Sequence, residues 1–268
     1  MRQSFSGKTV WITGASSGIG EALVKAFAKQ NAKIILTARR EEELLRVKKE
    51  AGLSDENSFI LPLDLYHTEN IANSVGKINA RFGAIDIVIC NAGIAQRFSV
   101  NESTMEVNRQ IMELNFFSVI ALAKSVLPGM LGKKSGQIVV ISSVMGKIST
   151  PGSSMYCASK HALHGFFDAL RGEVFKDNIG VTVICPGYIK TNVSINAVDG
   201  QGNAHGKMDK GQAHGISPEK CADGIVNAIA KRKDEFYIGG KEVLAVTFKR
   251  LFPSLFLSII NKAGYKKK

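Results

Sequence analysis

Three side chains in the stretch Ile141–Phe167 could together protonate a substrate. Tyr156 and Lys160 are four residues apart, so on a helix they share one face, and Ser143 follows an apolar run shortly before them. An unperturbed tyrosine hydroxyl has a pKa of ~10, and a neighbouring lysine ammonium lowers that pKa by favouring the phenolate. Ser143 could hydrogen-bond a carbonyl oxygen while Tyr156 delivers the proton. All three residue types are common on surfaces, so the surrounding elements must decide between packing and chemistry.

The segment Thr13–Gly20, TGASSGIG, joins the first apolar run to a helical pattern. Gly14 suits a tight turn, while Gly18 and Gly20 allow close approach of the backbone to a ligand and of the helix to the strand. The N-terminus of the following helix offers free N–H groups and a positive dipole end to a pyrophosphate. A glycine-rich turn can also serve βα packing alone, but the strand-turn-helix context predicts a dinucleotide site.

The end of the second apolar run indicates which dinucleotide binds. In an NAD site an acid at this place accepts hydrogen bonds from the ribose 2′-hydroxyl, but here Ala38 is followed by Arg39 and Arg40. Guanidinium groups suit a 2′-phosphate, so we expect NADP(H); the alternative is that both arginines only solvate a helix start. Asp64, at the end of the third run, could bond the adenine amino group or cap the next helix.

Short apolar runs alternate with longer amphipathic stretches along most of the chain. The runs are apolar nearly throughout, as in parallel strands covered on both faces, and the alternation predicts right-handed βαβ crossovers. We therefore expect an α/β fold, a Rossmann-type doubly wound parallel sheet with helices on both faces, as a single domain over 1–242. Residues 192–217, rich in Gly, Asn and polar residues, predict a substrate loop at the mouth of the site. The predicted strands are 9–13, 33–38, 58–64, 85–93, 136–142 and 179–187, and the predicted helices are 19–30, 41–50, 69–83, 104–131 and 156–176.

The composition is that of a soluble globular protein, with 268 residues of which 45% are hydrophobic and 22% charged. The formal net charge of +12 suggests an anionic partner, and the lack of a basic-aromatic pattern or zinc-finger spacing argues against nucleic acid. Four widely spaced cysteines without a C-x-x-C pair predict free thiols in a reducing, cytoplasmic setting and no metal site. Because the first strand begins within a few residues, we expect no signal peptide or N-terminal anchor.

In combination and order, these motifs resemble the short-chain dehydrogenase/reductase family over nearly the whole chain. The matching pieces are TGASSGIG, CNAG ending at Gly93, Asn115 in the long middle helix, Ser143, YCASK, and Cys185-Pro186-Gly187 leading to Thr191. The resemblance implies a Rossmann-type fold and hydride transfer between NADP(H) and a carbonyl or alcohol. The family usually has two asparagines before Ala-Gly. Here Cys90 replaces the first, from which we expect structural consequences more than lost activity.

The resemblance also implies roles for individual residues. Tyr156 becomes the acid/base, Lys160 the partner of the nicotinamide ribose and the tuner of Tyr156, and Ser143 the polariser of the carbonyl. Asn115 would hold a water in a proton relay, and Thr191 would bond the nicotinamide carboxamide. The residues expected to bind the cofactor are Gly14, Ser16, Ser17, Gly18, Ile19, Gly20, Arg39, Arg40, Asp64, Leu65, Asn91, Ala92, Gly93, Tyr156, Lys160, Pro186, Gly187, Ile189 and Thr191.

A narrower resemblance, to the dehydrogenase/reductase member 7 and 7B subgroup, rests on the runs GKISTPGSSMYCASKHA, FFDALRGE and PGYIKTNVSINA. Those relatives are membrane-associated reductases, linked to lipid-like carbonyl substrates such as steroids, retinoids or acyl/alkyl dihydroxyacetone phosphate. Many of them carry an N-terminal membrane anchor, which we do not expect here, so their localisation does not transfer directly.

Residues 243–268 form an apolar tail that contains basic residues and ends in Lys266–Lys268. Lys249, Arg250 and Pro253 interrupt its apolar stretch, so a membrane-spanning helix is not expected. The tail either packs on the core or on a partner subunit, or it lies as an interfacial helix on an anionic membrane. We expect a homodimer or homotetramer that is cytoplasmic, with peripheral membrane contact as the alternative.

The sequence thus predicts an NADP(H)-dependent oxidoreductase that reduces a hydrophobic ketone or aldehyde. One alternative is a 3-oxoacyl thioester reductase, which shares the whole constellation. Another is a catalytically silent NADP(H)-binding protein that recruits partners through its tail. The intact set of Ser143, Tyr156 and Lys160 argues against the silent protein.

Overall fold

The computed structural model of the chain describes residues 4–264, so the predicted basic end Lys266–Lys268 lies outside the described residues. Within this range seven parallel strands form one sheet in the order β3-β2-β1-β4-β5-β6-β7. The order reverses between β1 and β4, which opens a crevice at the carboxyl ends of these two strands. The strands are β1 (Thr9–Thr13), β2 (Lys33–Thr37), β3 (Ser58–Ile60), β4 (Ile87–Cys90), β5 (Gly136–Ile141), β6 (Ile179–Pro186) and β7 (Glu235–Ile238).

Helices cover both faces of the sheet, as the sequence predicts. Apolar side chains of α1, α2 and α8 pack on one face, and those of α3, α5 and α6 pack on the other. The central strands are buried on both sides. The polar group of Trp11 is also satisfied, because its Nε1 donates to Thr37 Oγ1 at 2.8 Å. The helices are α1 (Gly18–Ala28), α2 (Glu41–Glu50), α3 (Ile71–Phe82), α4 (Met105–Met112), α5 (Ser118–Lys133), α6 (Ser154–Glu173), α7 (Lys210–Ala213), α8 (Pro218–Ala230), α9 (Leu244–Leu251) and α10 (Pro253–Ala263).

The long middle helix is not regular throughout. A π-helical turn, Glu113–Phe117, lies between α4 and α5, where the sequence predicts one uninterrupted helix. The whole stretch Met105–Lys133 is long and apolar enough to cross a membrane by length and composition, as some core helices of soluble proteins are. In this fold its buried side chains pack against the sheet and against α3 and α6.

The C-terminal part of the sheet contains elements that the sequence analysis missed. The edge strand β7 is half-buried, so its residues EFYI lack the continuous apolar signal of the central strands. The helix α8 begins with a recognisable signal, because Ser217 Oγ accepts a hydrogen bond from the Lys220 N–H and Pro218 takes the first position. The predicted loop 192–217 is largely irregular, but it contains the single-turn helix α7.

The tail forms two helices, α9 and α10, that lie against one another. Phe256 is buried, whereas most described side chains of α10 are exposed. The helix therefore does not pack on the core of its own chain along most of its surface. Lys249 reaches back to the domain and donates to the Lys147 carbonyl oxygen at 2.7 Å. The exposed apolar side chains, called the tail surface below, are Leu244, Leu251, Phe252, Leu255, Leu257 and Ile259.

Candidate active site

One cleft of about 560 Å³ lies at the carboxyl edge of the sheet, at the switch between β1 and β4. It collects nearly every site residue that the sequence predicts, although they come from distant parts of the chain. Gly20 and Asn115 do not line it; they lie behind its wall. The predicted residues that line it are Gly14, Ser16, Ser17, Gly18, Ile19, Arg39, Arg40, Asp64, Leu65, Asn91, Ala92, Gly93, Ser143, Tyr156, Lys160, Pro186, Gly187, Ile189 and Thr191.

The glycine turn after β1 has the geometry of a phosphate cradle. Gly14 has a φ of 65°, and an added Cβ there would lie 2.9 Å from Asn91 Nδ2. A Cβ at Gly20 would overlap the carbonyl oxygen of Gly14, so only glycine fits at this helix position. Ser17 has an extended backbone and makes no side-chain cap, which leaves the first N–H groups of α1 facing the cleft for an anion.

Asn91 ties this turn to the end of β4. Its Nδ2 donates to the Thr13 carbonyl oxygen at 3.0 Å and to the Gly14 carbonyl oxygen at 3.3 Å. The preceding Cys90, which departs from the family pattern, is fully buried as part of β4. The asparagine retained in the motif is therefore the one that holds the phosphate turn in place.

The adenosine end of the cleft carries positive charge. Ala38, the residue after β2, brings no carboxylate, and Arg39 and Arg40 follow it on the exposed rim. Among the described lining residues Asp64 alone is acidic, and its Oδ1 accepts from the Tyr66 N–H at 3.0 Å. Asp64 thus caps its own turn and not the next helix, which excludes the helix-cap alternative.

Arg46 is a neighbour of this end that the sequence analysis did not single out. Its Nη2 donates to the carbonyl oxygen of Ser16 at 3.3 Å, while the guanidinium is paired with Glu21, Glu43 and Glu50. These acids raise the pKa of Arg46 above its already high value. Burial alone would raise the pKa of Glu21, but hydrogen bonds from Arg46 and Lys25 outweigh it and hold that pKa below its usual value. Charged residues along a helix such as α2 usually form a face exposed to solvent. The local sequence therefore does not distinguish Arg46 from an ordinary surface arginine.

Ser143, Tyr156 and Lys160 meet at the other end of the cleft. Ser143 lies in the turn after β5, where its Oγ accepts from the Met145 N–H at 3.1 Å and donates to the Pro186 carbonyl oxygen at 3.4 Å. Tyr156 and Lys160 project from the first turns of α6. The Lys160 Nζ donates to the Ile141 carbonyl oxygen at 2.8 Å and lies 5.8 Å from the centroid of the Tyr156 ring.

Burial shifts the pKa values of Tyr156 and Lys160 and corrects the expectation that the pKa of Tyr156 is lowered. Burial raises the pKa of Tyr156, and hydrogen bonding with the Ser143 side chain only partly opposes this shift. The pKa of the phenol is therefore raised and not lowered as the sequence predicts, and the Lys160 Nζ is directed at the Ile141 carbonyl oxygen. Burial also lowers the pKa of Lys160 to about 8, since a charged amine is disfavoured away from water.

Asn115 lies in the π-helical turn and is fully buried. Its Oδ1 accepts from the Ile94 N–H at 2.8 Å, and its Nδ2 donates to the Ile94 carbonyl oxygen at 2.9 Å and to Ser159 Oγ at 3.2 Å. Both amide hydrogens are therefore in use, so the side chain has no donor left for the predicted water. It instead anchors the loop after β4 to the middle helix and to α6.

The loop after β6 is held by two side chains that the sequence analysis missed. Gln212 of α7 donates from Nε2 to the Ile189 carbonyl oxygen at 2.6 Å and to Thr191 Oγ1 at 3.3 Å. Glu242 accepts from the Tyr188 N–H at 2.7 Å, and a Cβ added at Gly187 would overlap its carboxylate. Both contacts join segments that are distant in sequence, so neither leaves a local signal.

Comparison with known proteins places the chain among dehydrogenases. Residues 8–202 match the family model described as short chain dehydrogenase. A dehydrogenase/reductase SDR family protein 7-like from Anopheles gambiae is 44% identical over 267 residues, which cover 97% of this chain and 84% of that protein. Dehydrogenase/reductase SDR family member 7B from Mus musculus is 39% identical over 264 residues, which cover 97% and 82%. The narrower resemblance seen in the sequence is thereby confirmed.

Solved structures agree with this assignment. A short-chain dehydrogenase from Streptomyces avermitilis superposes with a TM-score of 0.82 at 29% identity, covering 96% of this chain and 98% of that one. A metagenomic short-chain oxidoreductase in complex with NADP gives a TM-score of 0.72 at 25% identity, covering 88% and 98%. The chain therefore belongs to the short-chain dehydrogenase/reductase family, oxidoreductases that act on alcohol or carbonyl groups with a nicotinamide cofactor.

Proposed function

We propose that the protein is an NADP(H)-dependent reductase of a hydrophobic ketone or aldehyde. The observation that carries the proposal is the convergence of Ser143, Tyr156 and Lys160 in the same cleft as the glycine turn. A nicotinamide dinucleotide fits this cleft, because the turn leaves no room for side chains at Gly14 and Gly20 and presents the N-terminus of α1.

The chain's own residues would handle the carbonyl oxygen. Bound NADPH supplies a hydride to the carbonyl carbon. Ser143 then hydrogen-bonds the oxygen and Tyr156 gives it a proton. The raised pKa of Tyr156 keeps the phenol protonated at neutral pH, which is the form that reduction requires. Lys160, which lines the same cleft, would bond the ribose of the cofactor.

A proton must then return to Tyr156 from solvent. Both N–H groups of the Asn115 side chain are already donated, so we propose that the backbone of the π-helical turn Glu113–Phe117 holds the relay water instead. A π-helical turn breaks the regular i→i+4 ladder and frees a carbonyl oxygen for another partner. Asn115 would support the relay by anchoring this turn.

Preference for NADP(H) over NAD(H) is supported by charge. Arg39 and Arg40 lie on the rim beyond Ala38, where a carboxylate selective for the ribose hydroxyl would stand. Both guanidinium groups can form charge-assisted hydrogen bonds with a 2′-phosphate. Thr191, held by Gln212, would meet the carboxamide at the far end of the same cofactor.

The substrate end of the cleft supports a neutral, apolar carbonyl compound. Its lining includes Ile94, Leu114 and Val193, together with the uncharged amides of Asn192 and Asn196. An apolar wall with a few polar groups is typical of small-molecule sites that bind hydrophobic ligands. The residues 192–217, from which part of this wall comes, are the ones that would set substrate choice.

The proposal is tested by following NADPH absorbance with a panel of carbonyl compounds. The panel contains hydrophobic ketones, hydrophobic aldehydes and 3-oxoacyl thioesters, each run in parallel with NADH. We expect oxidation of NADPH with a hydrophobic ketone or aldehyde. Turnover of the thioesters alone would favour the 3-oxoacyl thioester reductase, and no turnover despite tight NADPH binding would favour a silent binding protein.

We also propose that the tail surface contacts an anionic membrane. Its apolar side chains are flanked by Lys241, Arg250 and Lys262, while Glu242 is the one acid between 241 and 264 and is already engaged by backbone N–H groups. Like charges on two tails would repel, so this surface suits anionic lipid better than a second copy. We therefore propose peripheral membrane contact for a protein that we expect to be cytoplasmic, and the homodimer or homotetramer remains a prediction.

Vesicle binding by the full chain tests the membrane proposal. The triple variant Leu255→Ser, Leu257→Ser, Ile259→Ser should lose binding to vesicles that contain phosphatidylserine, while neither protein should bind pure phosphatidylcholine vesicles. Binding by the variant equal to that of the parent protein would contradict the proposal. A change in sedimentation instead of vesicle binding would assign the surface to a second copy.

A further inference from the structure

Gln96 is a fully buried polar side chain beside the candidate active site, and no prediction from the sequence includes it. It lies three residues beyond Gly93, on the loop that follows β4. Its amide uses both ends. The Nε2 donates to the Phe98 carbonyl oxygen at 3.1 Å and to Ser154 Oγ at 3.3 Å, and the Oε1 accepts from two backbone N–H groups.

The two N–H groups that reach Gln96 Oε1 belong to Met155, at 2.7 Å, and to Tyr156, at 3.0 Å. They lie in the first turn of α6, where backbone N–H groups have no partner within the helix. The residue before this helix, Ser153, makes no side-chain cap. Gln96 therefore caps α6 from a different part of the chain and replaces the local cap that the sequence lacks.

This cap acts on the backbone of the tyrosine itself. Tyr156 is the third residue of α6, so a movement of the first turn moves its ring relative to Ser143, which belongs to the turn after β5. Proton transfer to a carbonyl requires hydrogen-bonding distance, and a misplacement of about 1 Å can cost on the order of 10²-fold in rate.

The segment that carries Gln96 also contacts the substrate loop. The Arg97 N–H donates to the Val198 carbonyl oxygen at 2.9 Å, and the Val198 N–H donates to the Ala95 carbonyl oxygen at 3.0 Å. The Arg97 guanidinium pairs with Asp209, with Nε donating to Oδ2 at 2.8 Å. Backbone hydrogen bonds and an ion pair with the substrate loop thus hold the segment that carries the cap.

We propose that Gln96 is a positioning residue that holds Tyr156 in register with Ser143 through the first turn of α6. The inference rests on the proposed role of Tyr156 as proton donor. It predicts a loss in kcat with little change in cofactor binding, because the glycine turn and Lys160 do not depend on the Gln96 amide. A merely structural role would instead lower stability and affect every property of the enzyme together.

The test uses Gln96→Met, which keeps the length of the side chain but removes both hydrogen bonds to the helix. We expect kcat to fall roughly 10- to 100-fold, with the NADPH dissociation constant changing less than about 2-fold. Gln96→Glu keeps an oxygen acceptor for the two N–H groups and should recover most of the loss. Ser154→Ala removes only one partner of Nε2, leaves the cap intact, and should turn over like the parent.

A double-mutant cycle separates positioning from other effects. If Gln96 acts through the phenol, Gln96→Met should lower the residual rate of a Tyr156→Phe enzyme by less than about 2-fold. A loss of the same size in both backgrounds, or no loss in the parent, would overturn the proposal. If Tyr156→Phe itself turns over normally, the proposed function of Tyr156 fails first, and the two failures are distinct.

A second readout does not depend on turnover. Amide hydrogen exchange of the peptide Ser154–Lys160 should be faster in Gln96→Met than in the parent, because two N–H groups lose their acceptor. Unchanged exchange there would contradict the cap. If Gln96→Met does not fold, Gln96→Asn, whose shorter side chain withdraws the acceptor, replaces it in all three measurements.

Discussion

The two ends of the cleft are built in different ways. The phosphate end is one continuous segment, Thr13–Gly20, whose function depends on backbone shape and on the missing side chains of Gly14 and Gly20. The catalytic end brings together Ser143 from the turn after β5 with Tyr156 and Lys160 from α6, and burial shifts the pKa values of Tyr156 and Lys160.

This difference teaches which property each end controls. A change at the phosphate end alters the shape of a turn, so it should weaken cofactor binding and leave the proton chemistry intact. Loss of the Tyr156 hydroxyl at the catalytic end removes a proton donor, so it should slow turnover and leave cofactor binding intact. Lys160 is the exception at this end, because its ammonium would also bond the ribose of the cofactor. The following predictions test that separation, beginning with the largest expected effect.

Removal of the Tyr156 hydroxyl should have the largest effect. Tyr156→Phe keeps the ring and its packing but removes the proton donor, so kcat should fall roughly 10²–10⁴-fold. The NADPH dissociation constant should change little. Lys160→Met, in contrast, should weaken NADPH binding, because the ammonium that would bond the ribose is lost. Turnover and cofactor titration of both variants are the measurements, and a Tyr156→Phe enzyme with normal kcat would assign the proton to another group.

A methyl group at Gly20 should damage the phosphate end alone. In Gly20→Ala the added Cβ overlaps the carbonyl oxygen of Gly14, and relief of such overpacking costs about 1–3 kcal/mol. We expect NADPH affinity to fall roughly 5- to 150-fold, with kcat retained at saturating cofactor. Gly165→Ala is the matched control, since its Cβ would meet nothing within 4 Å on the exposed face of α6. Equal NADPH affinity in both variants would contradict the claim that the glycine turn controls cofactor binding.

Loss of one guanidinium at the rim should separate the two nicotinamide cofactors. Arg39→Ala should weaken NADPH binding by about 1.5–3 kcal/mol, the size of a charged hydrogen bond, and should leave NADH binding unchanged. Titration of the parent and the variant with both cofactors provides the control within one experiment. Equal affinity of the parent for NADPH and NADH would refute the assignment of the arginines to a 2′-phosphate.

The last prediction concerns stability and not turnover or cofactor binding, and it rests on a buried histidine behind the catalytic end. The His164 Nε2 lies 3.2 Å from Ser142 Oγ. Burial lowers the pKa of this histidine to about 4 from its ordinary value of ~6.5. Between these values the unfolded chain binds a proton that the folded protein does not, so stability falls as the pH drops. Lys147 reinforces the shift, and Glu235 opposes it.

From pH 7 to pH 5 this proton should cost on the order of 2 kcal/mol of the free energy of unfolding. Urea unfolding at both pH values should show a smaller acid loss in His164→Gln than in the parent by about that amount. An identical acid loss in both proteins would show that His164 titrates normally in the folded state.

Much of the fold could be predicted from local patterns. Continuous apolar runs such as TVWIT and GQIVVI identify parallel strands covered on both faces, and six of the seven described strands were found in this way. The edge strand β7 was missed because its residues are only half-buried and carry no such run. The π-helical turn at Asn115 was also missed, since the helical periodicity on either side of it continues.

In the candidate site, too, local patterns predicted some features and missed others. The sequence by itself predicted which residues line the cleft. The glycine turn, CNAG and the PG turn each lie at the carboxyl end of a strand in a parallel sheet, and YCASK lies in the first turns of the helix that follows β5. Only the tertiary structure decided that burial raises the pKa of Tyr156 and lowers that of Lys160 to about 8. It also decided that the side chain of Asn115 has no free N–H donor. It also placed Gln96 on the N–H groups of α6. Pattern and spacing act over a few residues, whereas burial and long-range hydrogen bonds arise only when distant segments pack together.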